Sequence, residues 1–324
     1  MPLRIALFGT GEFALPTFRA LIESAEHDVV GVYTQPDRTG RGHHRHVNKI
    51  KVLAEEHAVP VFQPERVNRA ESLQQLRQLA ADVFVVAAYG QILKPEFLAI
   101  PPLGAFNLHG SLLPRHRGAA PVQYSIWEGD RLGGVTMFQI EPALDSGPMV
   151  GRVQTEIRPD ETSADLMLRL AELSIELTRD VLQQLQSGTA VFESQDETQV
   201  TLAPKIRKED GIIDWQQSAC RIDCQVRAMQ PWPKASTDLL VPGRPPLRCI
   251  LLQVEPVGQT AAVSAGHGQG AVGSLIPDRS SVYAVTGDGL LKIKVIQPAG
   301  KKPMDAAAFV NGYVSGSAAR FSSP

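Results

Sequence analysis

A carboxamide and an imidazole stand two residues apart in the sequence, at Asn107 and His109. Side chains at positions i and i+2 of a β-strand project from the same face, so on a strand these groups would lie side by side. An amide donor next to an imidazole suits acyl transfer, because the amide stabilises a developing oxyanion while the imidazole moves a proton. Taken alone, such a pair on a strand is more often structural, so the surrounding residues must show whether it has a catalytic role.

Asp145 supplies a carboxylate in the turn Leu144-Asp-Ser-Gly147, which follows a predicted strand over 135–140. This carboxylate could orient His109 or raise its basicity, although an Asp in a glycine turn commonly closes an Asx-turn instead. No Ser or Cys elbow accompanies these groups. Direct attack by the substrate's own nucleophile is therefore a more natural hypothesis than an acyl-enzyme.

The first half of the chain alternates short apolar strands with helices, which is typical of a parallel sheet covered on both faces. The predicted strands lie at 4–8, 29–33, 59–62, 82–88, 106–109 and 135–140, and a long helix covers 161–187. Gly110 ends the strand that carries Asn107 and His109. The pair is therefore expected at the carboxyl end of the sheet, where open α/β folds bind ligands.

The pattern changes after residue 211, where one short helix over 218–229 precedes β-like segments separated by glycine turns. These segments lie at 247–254, 272–276, 282–285 and 290–295. Several short strands with glycine turns predict a small β-barrel. The chain is thus predicted to hold a first domain at 1–188, a linker at 189–210 and a second domain at 211–318.

Composition restricts the class of protein. The 324 residues are 43% hydrophobic and 20% charged, which is ordinary globular composition and excludes wholesale disorder. No apolar run approaches the roughly 18 residues of a membrane span, and no signal-peptide core is visible, so a cytoplasmic protein without a membrane partner is expected. Three cysteines predict no disulfide framework, and without CxxC or paired His they predict no metal site.

The net charge of −2 argues against a protein that coats nucleic acid without specificity. Positive and negative charges are, however, unevenly distributed between the two parts of the chain. Residues 1–210 carry 21 Lys and Arg against 27 Asp and Glu, whereas residues 211–324 carry 11 against 7. A basic stretch also interrupts the acidic half, and it consists of Arg38, Arg41, Arg45, Lys49 and Lys51, interleaved with His43, His44 and His46. A solvated surface is the plainer interpretation, yet a polyanionic partner could contact such patches.

A glycine turn, Gly9-Thr-Gly-Glu-Phe-Ala14, follows the first predicted strand and matches G-x-G-x-x-A. In dinucleotide folds such glycines let a pyrophosphate approach a helix N-terminus. The acid that would hold a ribose is missing, because the second strand ends in Tyr33-Thr-Gln-Pro36 with Asp37 just beyond. A tight turn without a cofactor is the favoured interpretation, and a nicotinamide reductase stays open as an alternative.

Several motifs of this chain occur together in one known family. In the first half they are Gly9–Ala14, Thr34–Arg38 with Gly40–Gly42, Ala88–Gly90, Asn107–Pro114 with Arg117–Pro121, and Leu144–Gly147. In the second half they are Gln195–Glu197, Ile213–Trp215, Pro231–Pro233 and Gln297–Lys302. With these motifs the chain resembles the methionyl-tRNA formyltransferases over nearly its whole length. Formyltransferases for other acceptors share the Asn-x-His stretch and the later Asp, whereas the 34–42 loop and the C-terminal half point to the tRNA enzymes.

The resemblance implies an α/β fold in which a Rossmann-like parallel-sheet formyltransferase domain precedes a small OB-like β-barrel domain that binds tRNA. It implies a catalytic set of Asn107, His109 and Asp145. It implies folate contacts at Ser111, Leu112, Leu113, Pro114, Tyr89, Gln91, Ile92 and Leu93. The charge asymmetry, rather than the resemblance, predicts where a tRNA would bind, because RNA contacts need local positive charge. The predicted contacts are Arg38 and Arg41 in the basic loop, where Gly40 and Gly42 let the main chain approach RNA closely, and Lys205, Arg207 and Lys208 between the domains.

The activity implied by the resemblance is transfer of a formyl group from 10-formyltetrahydrofolate to the free α-amino group of methionyl initiator tRNA. The enzyme is expected to act as a monomer and without a metal. The chain departs from the family in the loop after Gln35, which is one residue shorter and rich in histidine. Formylation of an amino sugar nucleotide, hydrolysis of formyl-folate and non-catalytic RNA binding stay open as alternatives.

Overall fold

A computed structural model describes residues 2–37, 47–257, 270–278, 281–314 and 318–322. Contacts between residues divide the chain into two compact units. The first unit consists of Met1–Pro121, Leu132–Glu156 and Leu166–Pro204. The second unit consists of Val122–Arg131, Ile157–Asp165 and Lys205–Pro324.

A parallel sheet with two antiparallel strands at one edge forms the centre of the first unit. Its strands are β1 (Arg4–Gly9), β2 (Asp28–Tyr33), β3 (Val61–Phe62), β4 (Val83–Ala87), β5 (Ala105–His109), β7 (Leu132–Gln139) and β8 (Met149–Glu156). They lie in the order β3-β2-β1-β4-β5-β7-β8, and the first five are parallel. The predicted Rossmann-like parallel sheet is confirmed.

The strand β8 is absent from the sequence prediction. It pairs antiparallel with β7 at the edge of the sheet, and its residues from Gly151 onward alternate between half-buried and exposed. An edge strand of this kind lacks the continuous apolar run that marks the central parallel strands. Its hydropathy therefore does not separate it from a polar connection.

Helices cover the sheet of the first unit. They are α1 (Leu15–Ile22), α2 (Lys49–Glu56), α3 (Ala70–Gln78), α4 (Pro95–Leu98) and most of α6 (Ser163–Ser187). The long predicted helix is confirmed as α6, and Gly188 ends it with a left-handed φ of 70°. On β8, a Cβ at Gly151 would lie 2.9 Å from side-chain atoms of Leu177 and Val181, so a glycine there lets α6 pack closely.

An aromatic cluster lies beneath the carboxyl ends of the first strands. Phe8 at the end of β1 stacks on Tyr33 at the end of β2, with 4.8 Å between ring centroids. Phe84, Tyr89 and Phe97 complete the cluster, with centroids 4.9–5.6 Å from that of Phe8. All five rings are buried, so this part of the core fixes the sheet where a ligand site is expected.

An antiparallel sheet that nearly closes on itself forms the core of the second unit. Its strands are β10 (Ala235–Leu240), β11 (Leu247–Val257), β12 (Leu275–Asp278), β13 (Ser281–Val285), β14 (Leu290–Pro298), β15 (Met304–Asp305) and β16 (Arg320–Ser322). The order is β12-β13-β14-β11-β10-β16, with β15 on β14. The amide of Leu275 donates to the carbonyl of Ala319 at 3.1 Å, which brings β16 back to the edge at β12. The predicted barrel is confirmed.

The α-helices that lie mainly in the second unit are α5 (Pro121–Trp127), α7 (Ala219–Ala228) and the short α8 (Ala306–Phe309). Pro121, the first residue of α5, belongs to the first unit. Inside the barrel, Trp215 stacks on Phe321 at 5.0 Å, and its indole N–H donates to Thr237 Oγ1 at 3.0 Å.

Within the described ranges, none of the helices combines the length and the apolar character that crossing a membrane requires.

The division into units differs from the predicted boundaries. Residues 189–204 belong to the first unit, because β9 (Leu202–Ala203) pairs in parallel with β6 (Arg117–Gly118). Residues 122–131 and 157–165 belong to the second unit. The polar composition of 189–201 predicted a linker, but Gln195 and Thr201 hydrogen-bond to other segments of the first unit.

Candidate active site

Asn107 and His109 lie on β5, which ends at His109. In the sheet Asn107 is opposite Val86 of β4, and His109 is opposite Thr136 of β7. Asn107 is half-buried and His109 is buried. The structure therefore places both side chains on one face at the carboxyl end of a central strand.

The main chain at His116 fixes the imidazole of His109. His109 Nε2 lies 2.9 Å from the carbonyl oxygen of His116. Because a carbonyl only accepts, Nε2 carries the hydrogen, and in the neutral ring Nδ1 is then an acceptor. His116 has a left-handed φ of 62°, and its amide donates to Thr201 Oγ1 at 2.8 Å. The loop that presents this carbonyl is thus itself held in place.

Asp145 lies next to the free nitrogen of His109. Its Oδ2 is 3.8 Å from His109 Nδ1, which is too long for a direct hydrogen bond, and it accepts the amide of Gly118 at 2.8 Å. Nδ1 and Oδ2 are therefore two acceptors within reach of one proton. A substrate nitrogen within hydrogen-bond distance of both atoms could release a proton to either of them.

The buried setting keeps His109 neutral at pH 7. Burial lowers the pKa of His109 below its usual 6.5, while the negative charge of Asp145 acts in the opposite direction and raises it. His116 contributes in both directions, because its carbonyl favours the protonated ring and its own imidazole disfavours it. Since burial dominates, the neutral form persists below pH 6.5.

We expect Asp145→Asn to lower the pKa of His109 further, because the substitution removes the charge that raises it. An NMR titration of the histidine ring nitrogens measures this shift directly. Asp180→Asn, on an exposed position of α6, is the matched control and should leave the titration unchanged. An unchanged or higher pKa in Asp145→Asn would show that the carboxylate does not act on His109.

The turn after β5 contains four of the predicted folate contacts. Ser111 and Leu113 are buried, and Thr136 Oγ1 donates to the Ser111 carbonyl at 2.8 Å and accepts the Leu113 amide at 3.1 Å. Leu112 and Pro114 are half-buried. A ligand at this turn would therefore meet its main chain and the side chains of Leu112 and Pro114, whereas Ser111 and Leu113 build the turn.

The loop after β4 contains the other four. Tyr89 is buried in the aromatic cluster, and Leu93 packs against the same cluster. The Gln91 side chain is engaged by main-chain groups, accepting the Val67 amide at 2.8 Å and donating to the Pro64 carbonyl at 3.0 Å. Ile92, by contrast, is 85% exposed. Of the four side chains, Ile92 is the one that presents most of its apolar surface to solvent.

The predicted RNA contacts fall into two groups. Arg38 and Arg41 lie outside the described residues, as do His43, His44 and His46. Lys205, Arg207 and Lys208 are exposed at the start of the last segment of the second unit.

No group of three or more His, Cys, Asp or Glu in the described part of the chain could hold a metal ion. The cysteines Cys220, Cys224 and Cys249 are free thiols. Burial raises the pKa of the Cys249 thiol to about 12, which makes it a poor nucleophile or metal ligand at neutral pH.

Sequence reasoning assigned no role to four residues around the site: His116, Arg117, Gln195 and Thr201. Arg117 and Gln195 are both buried, and their side chains hydrogen-bond each other. The only sequence signal for them is that Arg117–Pro121 and Gln195–Glu197 are among the motifs that carry the resemblance.

Known proteins share this architecture. HypX from Aquifex aeolicus in complex with tetrahydrofolic acid is 16% identical with a TM-score of 0.59, over 98% of this chain and 48% of that one. This chain thus spans about half the length of HypX. WlaRD, a sugar 3N-formyl transferase solved in the presence of dTDP and 5-N-formyl-THF, is 15% identical with a TM-score of 0.63, over 93% of this chain and 100% of that one.

An N-formyltransferase from Helicobacter canadensis, solved with folinic acid and dTDP-3-aminofucose, is also 15% identical with a TM-score of 0.63. The match covers 90% of this chain and 98% of that one. At these identities the similarity shows a common fold.

Family models identify the chain more closely. The formyl transferase model matches residues 3–182, and the model of the formyl transferase C-terminal domain matches residues 205–314. The one-carbon donor of this family is formyl-tetrahydrofolate. With one model on most of the first unit and the other on most of the second, the chain belongs to the formyl transferase family.

Proposed function

We propose that the chain transfers the formyl group of 10-formyltetrahydrofolate to the α-amino group of methionyl initiator tRNA. One observation carries the chemistry: neutral His109 turns its unprotonated Nδ1 towards Asp145 Oδ2 at 3.8 Å, with Asn107 on the same strand. An amine that attacks a formyl carbon needs a proton acceptor and an oxyanion donor, and these three residues offer both.

The reaction proceeds by direct attack. The neutral α-amine forms a C–N bond with the formyl carbon, and the formyl oxygen acquires negative charge that the Asn107 carboxamide stabilises by donating a hydrogen bond. The bond from carbon to N10 of the folate then breaks. The amine loses one proton to His109 Nδ1 or Asp145 Oδ2, and N10 gains one, so the site ends in its starting protonation state.

The folate is proposed to lie against two neighbouring loops. The turn 110–114 follows β5 and the loop 88–93 follows β4, and these strands are adjacent and parallel in the sheet. The exposed Ile92 side chain gives an apolar contact for a pterin ring, and half-buried Leu112 and Pro114 give others. A folate held there would bring its formyl group to the end of β5.

A tRNA acceptor is supported by the basic residues of the second unit. Lys205, Arg207 and Lys208 are exposed, and residues 211–324 carry 11 Lys and Arg against 7 Asp and Glu. Contacts between basic side chains and phosphates release counterions, so they make binding depend on salt.

We expect a variant with Lys205, Arg207 and Lys208 all changed to Gln to raise the KM for tRNA and leave folate binding unchanged. The slope of log K against log salt should become shallower by about 3, at about one per lost phosphate contact. The matched control changes Arg66, Arg69 and Arg77, exposed residues at or near α3, to Gln. Equal salt slopes in both triple variants would show that 205–208 is only solvated surface.

A formyl-transfer assay tests the proposed acceptor. With 10-formyltetrahydrofolate as donor, methionyl initiator tRNA should be formylated far faster than methionyl elongator tRNA or a dTDP-amino sugar. The sugar nucleotide is the second candidate acceptor, because the sugar N-formyltransferases described above match almost the whole of this chain. Transfer to the sugar without transfer to tRNA would overturn the proposal, as would formate release without any acceptor.

A further inference from the structure

The side chain of Gln195 uses all of its hydrogen-bonding groups at the candidate active site. Its Nε2 donates to the main-chain carbonyls of Asp145 and Gly147, both at 2.8 Å. Its Oε1 accepts from Nε and Nη2 of Arg117, at 3.0 and 2.8 Å. Gln195 is 9% exposed and Arg117 6%, so solvent competes little for these bonds.

Arg117 links the side-chain amide of Gln195 to the carboxylate of Asp145, because its side chain binds Gln195 and its main chain continues into Gly118. Gly118, the next residue, donates its amide to Asp145 Oδ2 at 2.8 Å. The Arg117 guanidinium is also held from the solvent side by Glu197, with Nη2 to Oε1 at 2.7 Å and Nη1 to Oε2 at 3.2 Å. Gln195 therefore ties the turn that carries Asp145 to the strand whose amide binds the Asp145 side chain.

The turn that carries Asp145 needs such support. Asp145 has a left-handed φ of 46°, which is rarely adopted by residues other than glycine. A Cβ at Gly147 would lie 1.8 Å from the carbonyl oxygen of Gln139, so the main chain there is tightly packed. The two carbonyls that flank this strained stretch are the ones that Gln195 holds.

Building on the proposed function, we infer that Gln195 is a positioning residue that holds the Asp145 carboxylate against Nδ1 of His109. It acts through two links, to the carbonyls of the Asp145 turn and through Arg117 to the Gly118 amide. Its side-chain donors and acceptor are taken up by Arg117 and the two main-chain carbonyls, so we expect its effect on the reaction to be transmitted by Asp145.

Kinetics give the first test. Gln195→Ala should lower kcat by up to about 100-fold, as expected when a reacting group is displaced by about 1 Å, and leave the KM of both substrates unchanged. Gln199→Ala is the matched control, because Gln199 lies on the same segment but is exposed, and its side chain donates to the nearby Asp196. An unchanged kcat in Gln195→Ala, or a KM effect alone, would overturn the inference.

A double-mutant cycle separates positioning from a general structural role. If Gln195 acts through Asp145, then Gln195→Ala should have no further effect on kcat in the Asp145→Asn background. Additive losses in the double variant would overturn the inference. If Gln195→Ala does not fold, Gln195→Met keeps the volume while removing both N–H donors, and the same outcomes apply to it.

The histidine titration makes the inference independent of the acceptor. The titratable groups that act on His109 are Asp145, which raises its pKa, and His116, whose ring lowers it. Displacement of Asp145 in Gln195→Ala should move the His109 titration to lower pH, in the direction expected for Asp145→Asn. This measurement needs no substrate, so it stands even if tRNA is not the acceptor. An unmoved titration would overturn the inference.

Discussion

The Asn107→Ala variant is expected to lose about 10²–10³-fold in kcat, the usual effect of removing one oxyanion donor. Asn107 is half-buried near the carboxyl end of the central strand β5. In the proposed mechanism, the charge that Asn107 stabilises develops only as the amine attacks. The loss should therefore appear in kcat, while the affinity for folate stays within a few-fold of the parent protein.

Steady-state kinetics and calorimetric titration with folate measure the two quantities separately. Asn107→Asp is an informative second variant, because it keeps the shape of the side chain and removes the N–H donors. It should be at least as deficient as Asn107→Ala. A near-normal kcat in a folded Asn107→Ala protein would remove this residue from the mechanism.

The second large effect is expected for His109→Ala, with a fall in kcat of about 10²–10⁴-fold for the loss of a general base. His109 is buried and bonded to the His116 carbonyl, so thermal unfolding must show that the variant is still folded. His57→Ala, at the exposed end of α2, is the matched control and should keep normal activity. Loss of activity in both variants alike would contradict a special role for His109.

The pH dependence of the parent protein follows from the same burial. Because the pKa of His109 is lowered from 6.5, its neutral form is retained as the pH falls through 6.5. The acid limb of kcat should therefore lie below that value, and no loss attributable to His109 should occur above it.

The sheet of the first unit could be predicted because continuous apolar runs mark its central strands. The strands at 4–8, 82–88 and 106–109 are short, continuous and rich in β-forming residues, which is how central parallel strands differ from helices and edges. Because Gly110 also ends the strand over 106–109, this pattern was sufficient to place Asn107 and His109 at the carboxyl end of the sheet.

The surroundings of His109 and Asp145 could not be predicted, because they depend on contacts between distant segments. Gln195 is 50 residues from Asp145 and 78 from Arg117 in the sequence, and it lies in a polar stretch that resembles a solvated connection. Likewise, the carbonyl that fixes His109 comes from a left-handed residue, His116, and a histidine side chain is not enough to identify this backbone conformation. Hydropathy records whether a side chain is polar, but it does not record which buried partner satisfies it.

The barrel of the second unit cannot close during synthesis until β16 has left the ribosome. Residues 320–322 pair with β10, and residues 319–321 contact residues 273–275. Of the described barrel strands, β16 is the last to be translated. Until it emerges, β10 and β12 each present an unpaired edge that invites association with other nascent chains. Completion of the barrel therefore comes after all strands of the sheet in the first unit have been translated.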